Sequence, residues 1–177
     1  RPDAATRLTL MKQILQNLSN GETHVADVPA PKVHAGQVQI ASTVSLVSAG
    51  TERMLVDFGR GNLVSKARQQ PDKVKQALEK IGTDGLAATL DAVRSKLDQP
   101  LALGYCNVGR VIEAGQGCGE FSPGDRVVSN GKHAEVVISP KNLCAKVPSA
   151  VSDEAASFTV IGAIALQGVR LAQQNLG

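Results

Sequence analysis

The stretch "LGYCNVGRVIEAGQGCGEFSPGDRVV", Leu103–Val128, decides how the chain is read. Cys106–Ala114 and Arg126–Ser129 are rich in β-branched residues, which favours strands. Between them Ser122-Pro123-Gly124-Asp125 has the Pro and Gly that a tight turn needs. A second turn, Asn130–Lys132, leads into a third strand over His133–Ile138. Tyr105 and Cys106 stand at the head of the stretch. Gly109, Gly115 and Gly124 mark positions that tolerate little side chain.

Working outward, Lys12–Leu18 reads as a first strand, and "PAPKVHAGQ" as a punctuated loop. Gln37–Val47 alternates: Val38, Ile40, Val44 and Leu46 are apolar, whereas Gln37, Gln39, Thr43 and Ser45 are polar. That period of two predicts a half-buried strand ending at "SAGTERM". Asn62–Gln99 is helical in composition, broken by Pro71 and by the glycines at 82 and 85. Asp72 can cap a helix over Lys73–Ile81. Thr83 or Asp84 can cap another through Leu97, with Leu86, Leu90, Val93 and Leu97 on one stripe. These two helices read as an inserted hairpin packing onto the strands. Near the C-terminus, Ser152 can cap a helix whose first turn holds Asp153 and Glu154. Helical pattern continues over Ala155–Val160 and Ala163–Gln174, with Gly177 at a C-cap position. The expected fold is mainly β with helices (α+β): a small irregular barrel, an inserted helical hairpin and C-terminal helices.

Composition narrows the function classes. The 177 residues are enough for one domain with a core, and 42% hydrophobic against 20% charged is globular. Aromatics make up 2% and the formal charge is +3. The basic residues are dispersed, and between Lys66 and Lys80 they mix with acids, which argues against nucleic acid as a partner. No apolar run reaches membrane-spanning length. The cysteines, Cys106, Cys118 and Cys144, are odd in number and form no CxxC pair. A reducing cytoplasm is the expectation, without a disulfide framework. Residues 1–10 read as an extension of the chain or as added residues, and Met11 as a natural start.

The opening stretch resembles the "GHE-x-x-G-x-V-x-x-x-G … F-x-x-GDRV" block of the medium-chain dehydrogenase/reductase superfamily. The matching residues are Gly104, Gly109, Val111, Gly115, Phe121, Gly124, Asp125, Arg126 and Val127. "HAEVVISPKNLCAKVPSAVSDEAA" is similar to that superfamily's next segment, and "SAGTE" (Ser48–Glu52) to its "CGTD". The resemblance implies that residues 11–177 form a GroES-like substrate domain with a helical insertion over 62–99. It also implies a Rossmann domain after residue 177, binding NAD or NADP. "GQGCG" (Gly115–Gly119) is not that domain's fingerprint, because it runs from a strand into "EFSPGD" and not into a helix.

The resemblance also fixes where zinc would be held. The family's three catalytic ligands fall on Ala49, Tyr105 and approximately Gly162, none of which supplies the thiolate, imidazole or carboxylate that zinc takes. The family's four-cysteine structural lobe is missing as well. The expectation is a zinc-free domain, with Cys106 a small buried hydrophobe.

Without zinc, something else must handle the alcohol or carbonyl oxygen. Thr51 matches the family's proton-relaying hydroxyl, and a threonine hydroxyl both donates and accepts. Tyr105 offers a phenol to a substrate oxygen. Glu52 matches the family's aspartate and is expected to pair with Arg53 or Arg110. Each also has a structural reading: Thr51 as a turn residue, Tyr105 as a hydrogen-bonded plug, Glu52 as a salt bridge. His24 and His34 lie in polar loops and His133 opens a strand, and none is given a role.

A finer resemblance, carried by "SAGTERML" and the long helical insertion before "GY-x-N-x-G", points to zinc-free bacterial two-part oxidoreductases. It implies a sugar or sugar-nucleotide as the small-molecule substrate. The expected partners are that substrate and the chain's own Rossmann domain, and a homo-oligomer stays open. The competing reading is a non-catalytic assembly module built on the barrel, with the hairpin as its contact surface.

Overall fold

The computed structural model describes residues 10–173. The reading of residues 1–10 as an extension lies outside them except for Leu10, which opens the first strand, and the reading of Gly177 as a helix cap lies outside them. The chain divides into two compact units. Of the described residues, the first holds 10–13, Ala26–Val47 and 104–173; the second holds Ile14–Val25 and Ser48–Leu103.

The strands are β1 (Leu10–Gln16), β2 (Thr23–Pro29), β3 (Gln37–Ser45), β4 (Leu101–Ala102), β5 (Asn107–Ala114), β6 (Arg126–Ser129), β7 (Val136–Pro140) and β8 (Cys144–Lys146). They form a three-stranded sheet of order β2-β1-β4 and a five-stranded sheet of order β7-β3-β5-β6-β8. Every pairing in the five-stranded sheet is antiparallel. The expected α+β class is the observed one.

In the first unit, the alternation read in β3 places Val38 and Ile40 at 0% exposure. They pack with Val111, Phe121, Val127, Val137 and Cys118 in one apolar cluster. β3 and β5 pair in a register that shifts twice, between Gln39 and Ile40 and between Ser42 and Val44. This bulged pairing brings two backbones together at Gly109. A Cβ there would stand 2.1 Å from the Ala41 carbonyl oxygen, so no side chain fits. The glycine signal in the sequence therefore reports a backbone contact.

Arg126 of the "GDRV" run ties this sheet to the helix that follows. Its Nη2 donates to Asp153 Oδ1 at 2.6 Å and to Val151 O at 2.7 Å, and Nε reaches the same carboxylate at 3.0 Å. Thr43 Oγ1 donates to Asp153 Oδ2 at 2.7 Å. These bonds, the Thr43 hydroxyl first and then Arg126, hold the Asp153 carboxyl below its ordinary range. Ser152 caps the helix as its sequence predicts, accepting from Ala155 N at 3.2 Å.

The second unit carries helices α1 (Thr51–Arg60), α2 (Leu63–Gln69), α3 (Pro71–Asp84) and α4 (Leu86–Asp98); α5 (Asp153–Ala156) and α6 (Thr159–Leu171) belong to the first. The segment from 62 to 99 is thus three helices and not two. Asn62 caps α2, with Oδ1 accepting from Ser65 N at 2.8 Å. Asp72 caps nothing: Gln70 is the N-cap of α3 and Pro71 takes the first turn. Proline fits there because that turn's N–H has no helical partner. Thr83 and Asp84 lie inside α3, and Gly85, at φ +86°, closes α3 and opens α4. Helix α1 and strand β2 lay outside the sequence reading, and β2 takes His24 out of the loop assigned to it.

These helices bury little. α3 has no buried residue, and in α4 only Thr89 is buried. Leu86 and Leu90, on the expected stripe, are 58% and 44% exposed.

Candidate functional site

The residues singled out in the sequence fall in both units. Thr51 is the first residue of α1, where an N–H without a helical partner is met by a side chain: Thr51 N donates to Ser48 Oγ at 3.4 Å. Glu52 is buried at 5% exposure, and its Oε1 accepts from Ser48 N at 2.8 Å. The carboxylate therefore closes the turn that presents Thr51. Arg53, one of the two bases expected beside it, pairs with Asp57 at 3.6 Å. Arg110, the other, donates from Nη1 to Gly124 O at 3.1 Å.

Tyr105 belongs to the first unit, half-buried in the bend before β5. Gly104 before it has φ +96°, and a Cβ there would lie 2.6 Å from His133 N and within 2.9 Å of its ring. The bend that sets Tyr105 is thus packed against a histidine. His133 is 5% exposed, and its Nδ1 stands 2.8 Å from Ser45 Oγ. It is a buried, bonded group, not the bare strand opener of the sequence reading. Cys106 is fully buried, as expected.

The register then lines up a row of polar residues at this end of the sheet. Ser45 pairs with Asn107, and Asn107 with Ser129. Asn107 and Ser129 are 0% and 1% exposed. Asn107 Nδ2 donates to Ser42 Oγ at 2.8 Å, and Ser129 Oγ accepts from Gly131 N at 3.2 Å. Among the described residues, Asn107 Oδ1 is buried and accepts no hydrogen bond. Leaving such an acceptor unmet in the interior costs about 1–3 kcal/mol. Sequence reasoning had no route to this row, because it exists only through strand register. A cavity of about 410 Å³ elsewhere in the unit, along Met11, Val28 and Val137, has neither Tyr105 nor His133 in its lining.

Among the described residues, no group of three or more His, Cys, Asp or Glu could hold a metal ion. Ala49 and Gly162 are exposed and carry no donor side chain. "GQGCG" is a turn: Cys118 N donates to Gly115 O at 3.1 Å and no helix follows, so these residues do not fit a dinucleotide. No helix of the described residues is long and apolar enough to cross a membrane.

No protein-family model matches the chain, and no curated protein matches it. Solved structures do. The structure of a quinone oxidoreductase from Coxiella burnetii matches over 93% of this chain and 45% of that one, with a TM-score of 0.63 and 20% identity. That of a 2R,3R-butanediol dehydrogenase from Bacillus subtilis matches over 90% and 47%, with a TM-score of 0.59 and 18% identity. A short chain alcohol dehydrogenase from E. coli CFT073, complexed with NADH, matches over 85% and 42%, with a TM-score of 0.56 and 15% identity. The chain spans less than half the length of each. At these identities the likeness shows a shared fold.

Proposed function

We propose that this chain is the GroES-like, substrate-side domain of a zinc-independent NAD(P)-dependent oxidoreductase acting on an alcohol or carbonyl, with a sugar derivative as one candidate substrate. The observation that carries the reading is the match over 93% of this chain to an oxidoreductase structure of which it spans 45%. Fold alone does not give function. The ordered motif from Gly104 to Val127 points to the same superfamily by a separate route.

The nicotinamide would supply hydride transfer and would be held by a nucleotide-binding domain outside these residues. The NADH complex of one structural neighbour supports that cofactor class. In this domain Thr51 would pass the proton of the substrate hydroxyl, presented by the turn that Ser48 and Glu52 close. Tyr105 would donate to the substrate oxygen, and the packing of Gly104 on His133 sets the bend that aims it. Glu52 would act as a positioning residue through its bond to Ser48 N. The zinc-free reading is supported by the residues at the family's ligand positions, Ala49, Tyr105 and Gly162.

Calorimetric titration of NADH and NADPH into this chain tests the division of labour. Neither should bind measurably; tight binding by these residues alone would contradict the assignment. In the longer protein that the proposal requires, Thr51→Val should lower kcat by about a hundredfold or more, the usual scale of one proton-transfer group. An unchanged kcat would remove Thr51 from the chemistry.

A further inference from the structure

The helical unit contains a cavity that the oxidoreductase reading does not use. It measures about 770 Å³ and is lined entirely by residues of the second unit. Its size falls in the range of about 300–1,000 Å³ common for small-molecule sites. The walls are apolar: Met54 and Phe58 from α1, Leu63 from α2, Val74 from α3, and Val93 and Leu97 from α4.

The charge around these walls has one sign. Lys66, Lys73, Lys80 and Lys96 line the cavity, and no Asp or Glu does. Lys80 is matched by Asp84 at 3.6 Å. Among the described residues, Lys66, Lys73 and Lys96 enter no ion pair. Lys66 is the informative one, because it is only 6% exposed. Its Nζ donates to Ser19 O at 2.9 Å and lies 5.9 Å from the centre of the Phe58 ring. A carbonyl and a ring face soften the loss of water but do not neutralise the charge, and an ammonium has three donors to place. Burying a cation without an anion is costly, so a lysine held this way favours a ligand that brings the negative charge.

We propose that this cavity binds a single-chain anionic amphiphile, its apolar chain lying between the helices and its carboxylate or phosphate head on Lys66, with Lys73 and Lys96 adding attraction. A neutral chain would fill the walls but leave the lysine unmatched. This reading is independent of the nicotinamide assignment.

The experiment is calorimetric titration of the chain with monomeric dodecanoate and dodecyl phosphate, against dodecan-1-ol and dodecyltrimethylammonium. Comparing the two anions tells a carboxylate ligand from a phosphate one. The expected result is one site per chain, with at least one anion binding about tenfold or more tighter than the alcohol, and the cation weakest. Lys66→Met leaves an unbranched, uncharged side chain one heavy atom shorter and should erase the preference for anions. Lys73→Gln with Lys96→Gln, both at exposed positions, should weaken anion binding a few-fold while leaving the alcohol unchanged. Equal affinity for dodecanoate, dodecyl phosphate and dodecan-1-ol would overturn the proposal. So would an anion preference that survives in both variants. Binding only to phosphatidylglycerol vesicles and not to monomers would also overturn it, in favour of a membrane surface. Self-association that occludes the cavity without amphiphile binding would overturn it in favour of a second copy of the chain.

Discussion

The five-stranded sheet and the helices of the second unit bury their apolar residues in opposite ways. In the sheet, Val38, Ile40, Val108 and Val127 are at 0% exposure, and Gly109 meets the Ala41 carbonyl with no room for a methyl group. In the helices, Met54, Leu63, Leu78 and Leu86 are each more than half exposed. The sheet has used its apolar surface to make a core. The helices leave much of theirs exposed. Tight packing means that a small change is felt strongly, whereas a loose apolar face tolerates change and can accept a ligand.

The largest effect should therefore come from the smallest change. Gly109→Ala adds one methyl against the Ala41 carbonyl, and it should cost about 3 kcal/mol or more by urea denaturation, the upper end for overpacking. A loss under about 0.5 kcal/mol would show that the β3–β5 pairing is looser than described. Next comes Arg126→Met, which removes the bonds to Asp153 and Val151. The expected loss is about 1.5–3 kcal/mol, the range for a hydrogen-bonded charged group, read as a lower denaturation midpoint.

Acid should act on the same place. The carboxyl of Asp153 is held down by Thr43 and Arg126, and that of Asp125 by Lys146 and the Ser122 N–H. A carboxyl lowered in the folded state adds stability that is complete above its ordinary range, near about 4. That stability drains away as pH falls toward the lower folded value. Asp153→Asn should thus destabilise the chain at neutral pH and make little difference in strong acid. An equal gap at pH 7 and pH 2 would break the linkage. The smallest effect belongs to the helical unit: Leu78→Ser and Leu86→Ser should each shift stability by about 0.5 kcal/mol or less, as surface changes do. A loss above about 2 kcal/mol would mean that these leucines are covered, and the contrast between the units would fail.

What the sequence disclosed follows the same division. β3 was legible because its alternating Val38 and Ile40 face a real core, and β5 and β6 because they are rich in β-branched residues. β2 was not, because "THVADVP" is mostly exposed and ends in proline, so burial never imprinted a period on it. Helix α1 was lost among "SAGTERM", although Met54, Leu55 and Phe58 lie three and four residues apart. The cap of α3 was misplaced because Asp72 was weighed above Pro71, the stronger positional signal. Of the candidate residues, Thr51, Glu52 and Tyr105 were singled out through motif resemblance. The row of Ser45, Asn107 and Ser129 was not, because pairing partners 62 and 22 residues apart leave no local trace, and the contacts of His133 with Ser45 and Gly104 leave none either.

The contact at Gly109 also bears on ancestry. Any related chain that keeps the bulged pairing of its third and fifth strands has to keep a residue without a side chain at that point, whatever happens to its active site, insertions or surface. A backbone-to-backbone collision cannot be negotiated by neighbouring substitutions. That single column, read with the spacing to Gly104, offers a way to recognise distant kin after overall identity has decayed past usefulness.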